Sequence, residues 1–441
     1  MRQIILAGDE QDLPVGVKVD IFYGMITLGS TTIWSVLTGW LLYFYLPPEG
    51  PALVPVALYG IAPLIAGAAS VVISLPVGYW SDHLHSRWGR RLPFIFVFSV
   101  PMLVCFILLW MPPVQTQSPW NLAYLTAILA FYSIAYSLHQ IPYESLLPEL
   151  AVTDHHRVRI SAWYAGFQLA AMILGGFAGL AIGWLGYSSA ALLYAVVVVP
   201  LVYLPFLVLR ERPGRQITST QRLGFRQSMR TTLSNRAFLV FVVTWALYWG
   251  TMTLVQSVIP FVATEICLLN PEDTVYFYIP AVLAALLCYP FVTWLSDRIG
   301  KQRVFSGSLL ASAVILMGLV LIGDWLPVPL KVQGVAWAVL QAMAISGVTV
   351  LTSALTAEIT DYDEKLTGQH REGAYYSTMG LLDHVVVGAA SALLPVLLFF
   401  GRSRFDLHGP LGVRLIGVVG GVMMFVAFAI FSRYPLRYPH E

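Results

Sequence analysis

The chain has 441 residues, of which 58% are hydrophobic and 11% charged, with a formal net charge of +2 and a mean hydropathy of +0.73. A soluble surface is roughly 25–35% charged, so a water-soluble globular protein is excluded and lipid must cover the apolar faces. The near-neutral charge speaks against a nucleic-acid partner, and the absence of a P-loop, a G-x-S-x-G turn or a metal-ligand run speaks against an enzyme. The three cysteines, Cys105, Cys267 and Cys288, lie in or beside apolar runs and read as packing residues. No cofactor and no metal are expected.

Residues 1–17 are mostly polar and the first apolar run is long enough to span, so no cleavable leader is expected. Twelve apolar runs qualify as spans. In the first half they cover about 21–45, 53–80, 93–110, 122–147, 160–184 and 190–209; in the second, about 238–263, 275–295, 304–322, 332–359, 374–400 and 411–431. The expected fold class is an all-α polytopic membrane protein with two pseudo-symmetric six-helix bundles. The expected division is 1–209, a linker at 210–236 holding seven arginines, and 237–441. Two related loops support the repeat: GYWSDHLHSRWGRR after the second run, and TWLSDRIGKQR after the eighth. With both termini cytoplasmic, all but four of the 25 Lys and Arg fall on the cytoplasmic side, the exceptions being Lys331, Arg402, Arg404 and Arg414. The two signature loops can form charge clusters at the cytoplasmic face: Asp82, Arg87, Arg90 and Arg91 in the first, and Asp297, Arg298, Lys301 and Arg303 in the second.

Four stretches carry a family resemblance: YGMITLGSTTIWSVLTGWLLYFYLPPEG in the first span, SDHLHSRWGRRLPF after the second, IPYESLLPEL ending the fourth, and AEITDYDEKLTGQHREGAYYS between the tenth and eleventh. The chain resembles the major facilitator superfamily, in the branch of glycoside–pentoside–hexuronide:cation symporters. The resemblance implies a sugar or glycoside site at mid-membrane between the halves, coupling to Na+ or H+, and charge clusters that hold the halves together when the cavity faces outward.

The chain departs from that pattern where family members using Na+ carry charge. Their paired helix-2 carboxylates align with Ser70 and Ser74, their helix-4 acid with Gln140, their helix-1 acid with Thr31, and a helix-11 basic residue with His384. Two hydroxyls compensate a dehydrated hard cation poorly, so H+ is expected in place of Na+. Ionisable residues at mid-depth are costly, about +2.5–3.5 kcal/mol for an acid at a helix centre, and functional by default. They are Asp383 and His384 in the eleventh span and His139 in the fourth, read as proton-coupling candidates. Substrate-binding candidates are Thr31, Gln140, Glu144, Ser70, Ser74, Trp249 and Trp337, with Trp245 sharing the face of Trp249.

The expectation is therefore an alternating-access carrier of a neutral glycoside or small saccharide, working with H+ as a monomer in a bacterial-type inner membrane. An uncoupled facilitator, a carrier of a lipid-like amphiphile and a non-transporting sensor or assembly partner remain open beside it.

Overall fold

The computed structural model describes residues 17–84, 86, 88–150, 154–211, 235–367, 372–400 and 410–434. Every long apolar run becomes a helix, because only a helix satisfies its own backbone in lipid. The helices are α1 (Val17–Tyr45), α2 (Ile61–His83), α3 (Leu92–Leu108), α4 (Pro119–Leu150), α5 (Asp154–Gly176), α6 (Ala178–Leu185) and α7 (Tyr187–Tyr203). In the second half they are α8 (Arg236–Phe261), α9 (Val275–Ile299), α10 (Lys301–Met317), α11 (Leu330–Thr367), α12 (Glu372–Phe399) and α13 (Pro410–Phe431). Eleven described segments are long and apolar enough to cross a membrane, and α3 is a shorter apolar helix.

The fifth expected span is two helices. Gly175 and Gly176 weaken it before Phe177, and a Cβ on Gly176 would lie 2.6 Å from the Cβ of Tyr278 on α9. The break thus sits where α9 approaches too closely for a side chain. Gly186, at φ +77°, then turns the chain from α6 into α7.

Within the first half α1 packs on α5, and α2 and α3 pack on α4; within the second, α9 packs on α11, α10 on α13, and α8 on both α12 and α13. The halves meet along α2–α12, α1–α8 and α5–α9, with α6 against the Pro271–Thr274 turn. All these described junctions lie at mid-depth or toward the face opposite the signature loops, here called the far face. A Cβ on Gly60 would stand 2.8 Å from the Ala392 carbonyl, and one on Gly67 3.0 Å from that of His384 and 3.3 Å from the Gly388 Cα. The Ser257 hydroxyl donates to the Thr38 carbonyl at 2.8 Å, and Thr38 donates to Gln256 Oε1 at 3.0 Å. The far side is closed by backbone-close packing.

At the signature side the described contacts tie each half within itself. The Glu211 carboxylate accepts from the backbone N–H groups of Arg90 (2.5 Å), Arg91 (2.7 Å) and Leu92 (2.5 Å), capping α3. The Arg91 guanidinium donates to the Ser145 carbonyl on α4. Buried Asp20 of α1 takes His156 Nε2 at 2.7 Å and Arg159 Nε at 2.5 Å from α5. In the other half, Lys301 on α10 pairs with Glu358 on α11 at 2.6 Å. Outside the spans, burial pushes the thiol of Cys267 up to about 11, in keeping with a packing residue.

Candidate functional site

Between the halves lies a chamber of about 90 Å³, to which α1, α2, α4, α8 and α12 all contribute. Its roof is the closed far seam, where Tyr59, Leu42 and Leu394 sit. Its walls carry Trp34, Tyr132 and Tyr136 and the hydroxyls of Thr38, Ser70, Ser133, Ser257 and Ser391. His384 is the one ionisable group among the lining residues other than tyrosines, and no carboxylate or amine lines it. The Trp34 and Tyr136 rings stack 5.3 Å apart. The hydroxyl of Tyr132, a residue 1% exposed, has no hydrogen-bond partner. Such a lining offers flat faces to a ring and donors and acceptors to hydroxyls.

His384 and Ser70 meet here. Ser70 Oγ lies 3.2 Å from His384 Nδ1 and 2.6 Å from the Ser137 hydroxyl, linking α2, α4 and α12 across the two halves. Ser74, the other hydroxyl of the aligned pair, donates to its own helix at the Val71 carbonyl, 2.9 Å away.

A second layer lies on the signature side of the chamber. Along α4, Tyr132, Tyr136, Gln140 and Glu144 recur every fourth residue and make one stripe. The Gln140 amide donates to the exposed Glu144 carboxylate at 2.9 Å, and Gln140 Oε1 has no partner. Opposite, Asp383 on α12 lies beside the indole of Trp245 and within electrostatic reach of Glu144. Trp245 and Trp249 cross edge to face at 5.6 Å. The buried atoms Asp383 Oδ1, Trp245 Nε1 and Trp249 Nε1 have no hydrogen-bond partner. Unpaired polar atoms buried between two halves are costly unless a ligand or a proton satisfies them.

The remaining candidates fall apart from this centre. Asp383 and His384 are adjacent on α12 but serve different neighbours, Trp245 on α8 and Ser70 on α2. His139 is fully buried against α3, with Nδ1 3.0 Å from the Ser99 hydroxyl and 3.3 Å from the Ile95 carbonyl. Its described contacts are to α3, and its Nε2 has no hydrogen-bond partner. Trp337 is 5% exposed and donates to the Ile315 carbonyl at 2.9 Å, which fastens α11 to α10 away from the gap. Thr31 sits half-buried on α1, one turn before Trp34. The described contacts of the charge clusters lie within one half. Arg90 and Arg91 hold Glu211 through their backbones, Arg298 lies 4.2 Å over the ring of Trp294, and Lys301 pairs within its own half. Asp297 and Arg303 are exposed. Arg87 and the side chain of Asp82 lie outside the described residues.

Sequence reasoning did not single out Tyr132, Ser133, Ser137, Ser257 or Ser391, nor the Asp20–His156–Arg159 cluster. For α4 a signal was present: a polar-aromatic stripe at helical spacing in an otherwise apolar run. The isolated serines give none, because a Ser in a membrane helix commonly satisfies its own backbone.

Two bundles of membrane helices, sealed on one side of a polar mid-membrane chamber, define a secondary transporter and not an enzyme. The chain belongs to the family described as MFS/sugar transport protein, whose pattern it matches over residues 22–437. It is 25% identical over 404 residues to the isoprimeverose transporter of Lactiplantibacillus pentosus, covering 86% of this chain and 79% of that protein. It is likewise 25% identical to the glucuronide carrier protein homolog of Escherichia coli K12, covering 80% and 79%. In fold it is similar to the crystal structure of the nucleoside transporter NupG, at a TM-score of 0.66 and 12% identity, over 94% of this chain and 99% of that one.

Proposed function

We propose that this sugar-transport-family protein carries a neutral glycoside or small saccharide by alternating access, together with H+ and not Na+. The observation that carries the reading is the chamber: aromatic faces, five aliphatic hydroxyls and one imidazole, with no amine or guanidinium to hold an anionic sugar. Trp34, Tyr136, Ser70, Gln140 and Trp249 are the proposed sugar contacts, with Thr31 one turn from Trp34. Asp383 is the proposed proton carrier, since it combines a place near the middle of α12 with a buried oxygen that has no hydrogen-bond partner. His384 is the proposed link by which α12 senses α2. Na+ has no acid at the two aligned positions of α2 to hold it, because Ser70 and Ser74 stand there. The signature loops and termini are taken as cytoplasmic, in a bacterial-type inner membrane, on the distribution of Lys and Arg.

Uptake of radiolabelled neutral glycosides into proteoliposomes tests this under an imposed pH or Na+ gradient. One proton per sugar sustains about tenfold accumulation per pH unit. Asp383→Asn should reduce that to simple equilibration. Accumulation driven by Na+ alone, or full pH-driven accumulation by Asp383→Asn, overturns the coupling assignment. Transport of hexuronides but not of neutral glycosides overturns the substrate class.

A further inference from the structure

Three of the chamber's five aliphatic hydroxyls are already engaged by the protein. Thr38 donates to the Trp34 carbonyl at 2.8 Å, and Ser257 donates to the Thr38 carbonyl at 2.8 Å. Ser70 is shared between Ser137 at 2.6 Å and His384 at 3.2 Å. Toward the far seam the lining is mostly hydrocarbon, supplied by Leu37, Leu41, Leu42, Leu129 and Leu394. Helix direction orders these residues. α1 runs toward the far face from Trp34 through Leu37 and Leu41 to Leu42, and α12 runs the same way from His384 to Leu394. α4 runs the opposite way, from Leu129 past Tyr136 to Gln140. The chamber is therefore graded across the membrane. Trp34, Tyr136, Ser70 and His384 stand at its signature end, with Gln140 one turn further along α4, and the leucines stand at its far end.

The far end is also blind. A Cβ on Gly388 would lie 3.1 Å from the Pro63 carbonyl and 3.4 Å from the Gly67 Cα, so backbone closes the chamber where α2 meets α12. Water gains little in such an end, because it lacks the polar partners it needs there. A sugar hydroxyl pushed among the leucines would lose its hydrogen bonds to water without replacement. An alkyl group gains by the same move, about fourfold in affinity for each methylene taken out of water. At about 90 Å³ the chamber is smaller than the roughly 150 Å³ cavity that holds benzene. A chain of about three carbons fills a space of that order.

We infer that the substrate is a glycoside with a short apolar aglycone, which enters the far end of the chamber while the sugar ring stays at Trp34, Tyr136 and Gln140. This rests on the neutral-saccharide reading above and deepens it. The far leucines select the glycoside by its aglycone and fix its direction, apolar end toward the far seam.

The test is titration calorimetry on the full-length protein in lipid nanodiscs, with empty nanodiscs as the blank. The probes are β-D-glucopyranosides and β-D-xylopyranosides bearing methyl, ethyl, propyl or pentyl groups, together with the free sugars. Affinity should rise about fourfold per carbon from methyl to propyl, about fifteenfold in all, and gain nothing further at pentyl. Leu41→Ala, which lengthens the blind end, should move that ceiling to pentyl, whereas a merely loosened protein would bind every member more weakly. Propyl glycosides that bind no tighter than methyl ones overturn the aglycone socket and leave the saccharide reading standing. A gain that continues to pentyl in the wild type, or a ceiling still at propyl in Leu41→Ala, also overturns it, because the far leucines would then not set the length. If neither the glycosides nor the free sugars bind, the saccharide reading falls and the socket with it.

Discussion

The two sides of the inter-half interface are built on opposite principles. At the far face, Gly60, Gly67 and Gly388 let backbones touch, and the hydrogen bonds there, such as Ser257 to Thr38, join neutral groups. At the signature face charges abound, but each described pair stays within one half: Asp20 with His156 and Arg159, Lys301 with Glu358. Close-packed neutral surfaces separate without exposing unpaired charge, while charged groups in water can exchange partners. The far side is sealed by shape, and the described ion pairs of the signature side brace each half separately.

Wedging the seam is the strongest way to break this contrast. Gly67→Leu places a side chain where 3.0 Å separates an added Cβ from the His384 carbonyl. Overpacking costs about 1–3 kcal/mol, so the balance between open sides should move by about five- to 150-fold toward far-side opening. Accessibility of a cysteine at Tyr59 to a membrane-impermeant maleimide reads this; unchanged labelling would show that the seam yields without opening. A middle-sized effect is expected at the junction between seam and gap. Ser70→Ala removes the hydroxyl shared by Ser137 and His384, and a net hydrogen bond is worth about 1 kcal/mol. Sugar affinity should fall about fivefold, read by titration calorimetry, with the fold retained. The smallest effect is expected outside the comparison. Trp337→Phe forfeits its bond to the Ile315 carbonyl, lowering stability by about 1 kcal/mol and leaving sugar affinity unchanged in the same titration.

Much of this architecture is legible in the sequence because lipid imposes simple rules. Apolar length gives the spans, and the duplicated signature gives the two-fold arrangement. Mid-depth placement of Asp383 and His384 follows from the same rules, because a helix rises by a fixed amount per residue. Direction does not. Adjacent residues on a helix point about 100° apart, and only the packing of α12 against α2 and α8 decides that His384 meets Ser70 while Asp383 meets Trp245. The places of His139 and Trp337, turned to other helices, are hidden for the same reason. His139 Nδ1 meets the Ser99 hydroxyl and Trp337 Nε1 the Ile315 carbonyl, each on a neighbouring helix. The seam glycines are read only once the facing backbone is known.

The two helix caps that flank the connection between the halves have a practical consequence. Glu211 closes the amino end of α3, and Asn235 closes that of α8 by accepting from Ala237 at 3.0 Å and Phe238 at 3.3 Å. Each belongs to the half it stabilises, so a cut anywhere between them severs no cap. The gene can therefore be divided there into two cistrons. A fragment ending after Glu211 and another beginning before Asn235 each keep these terminal hydrogen bonds, and co-expression of the two should restore transport.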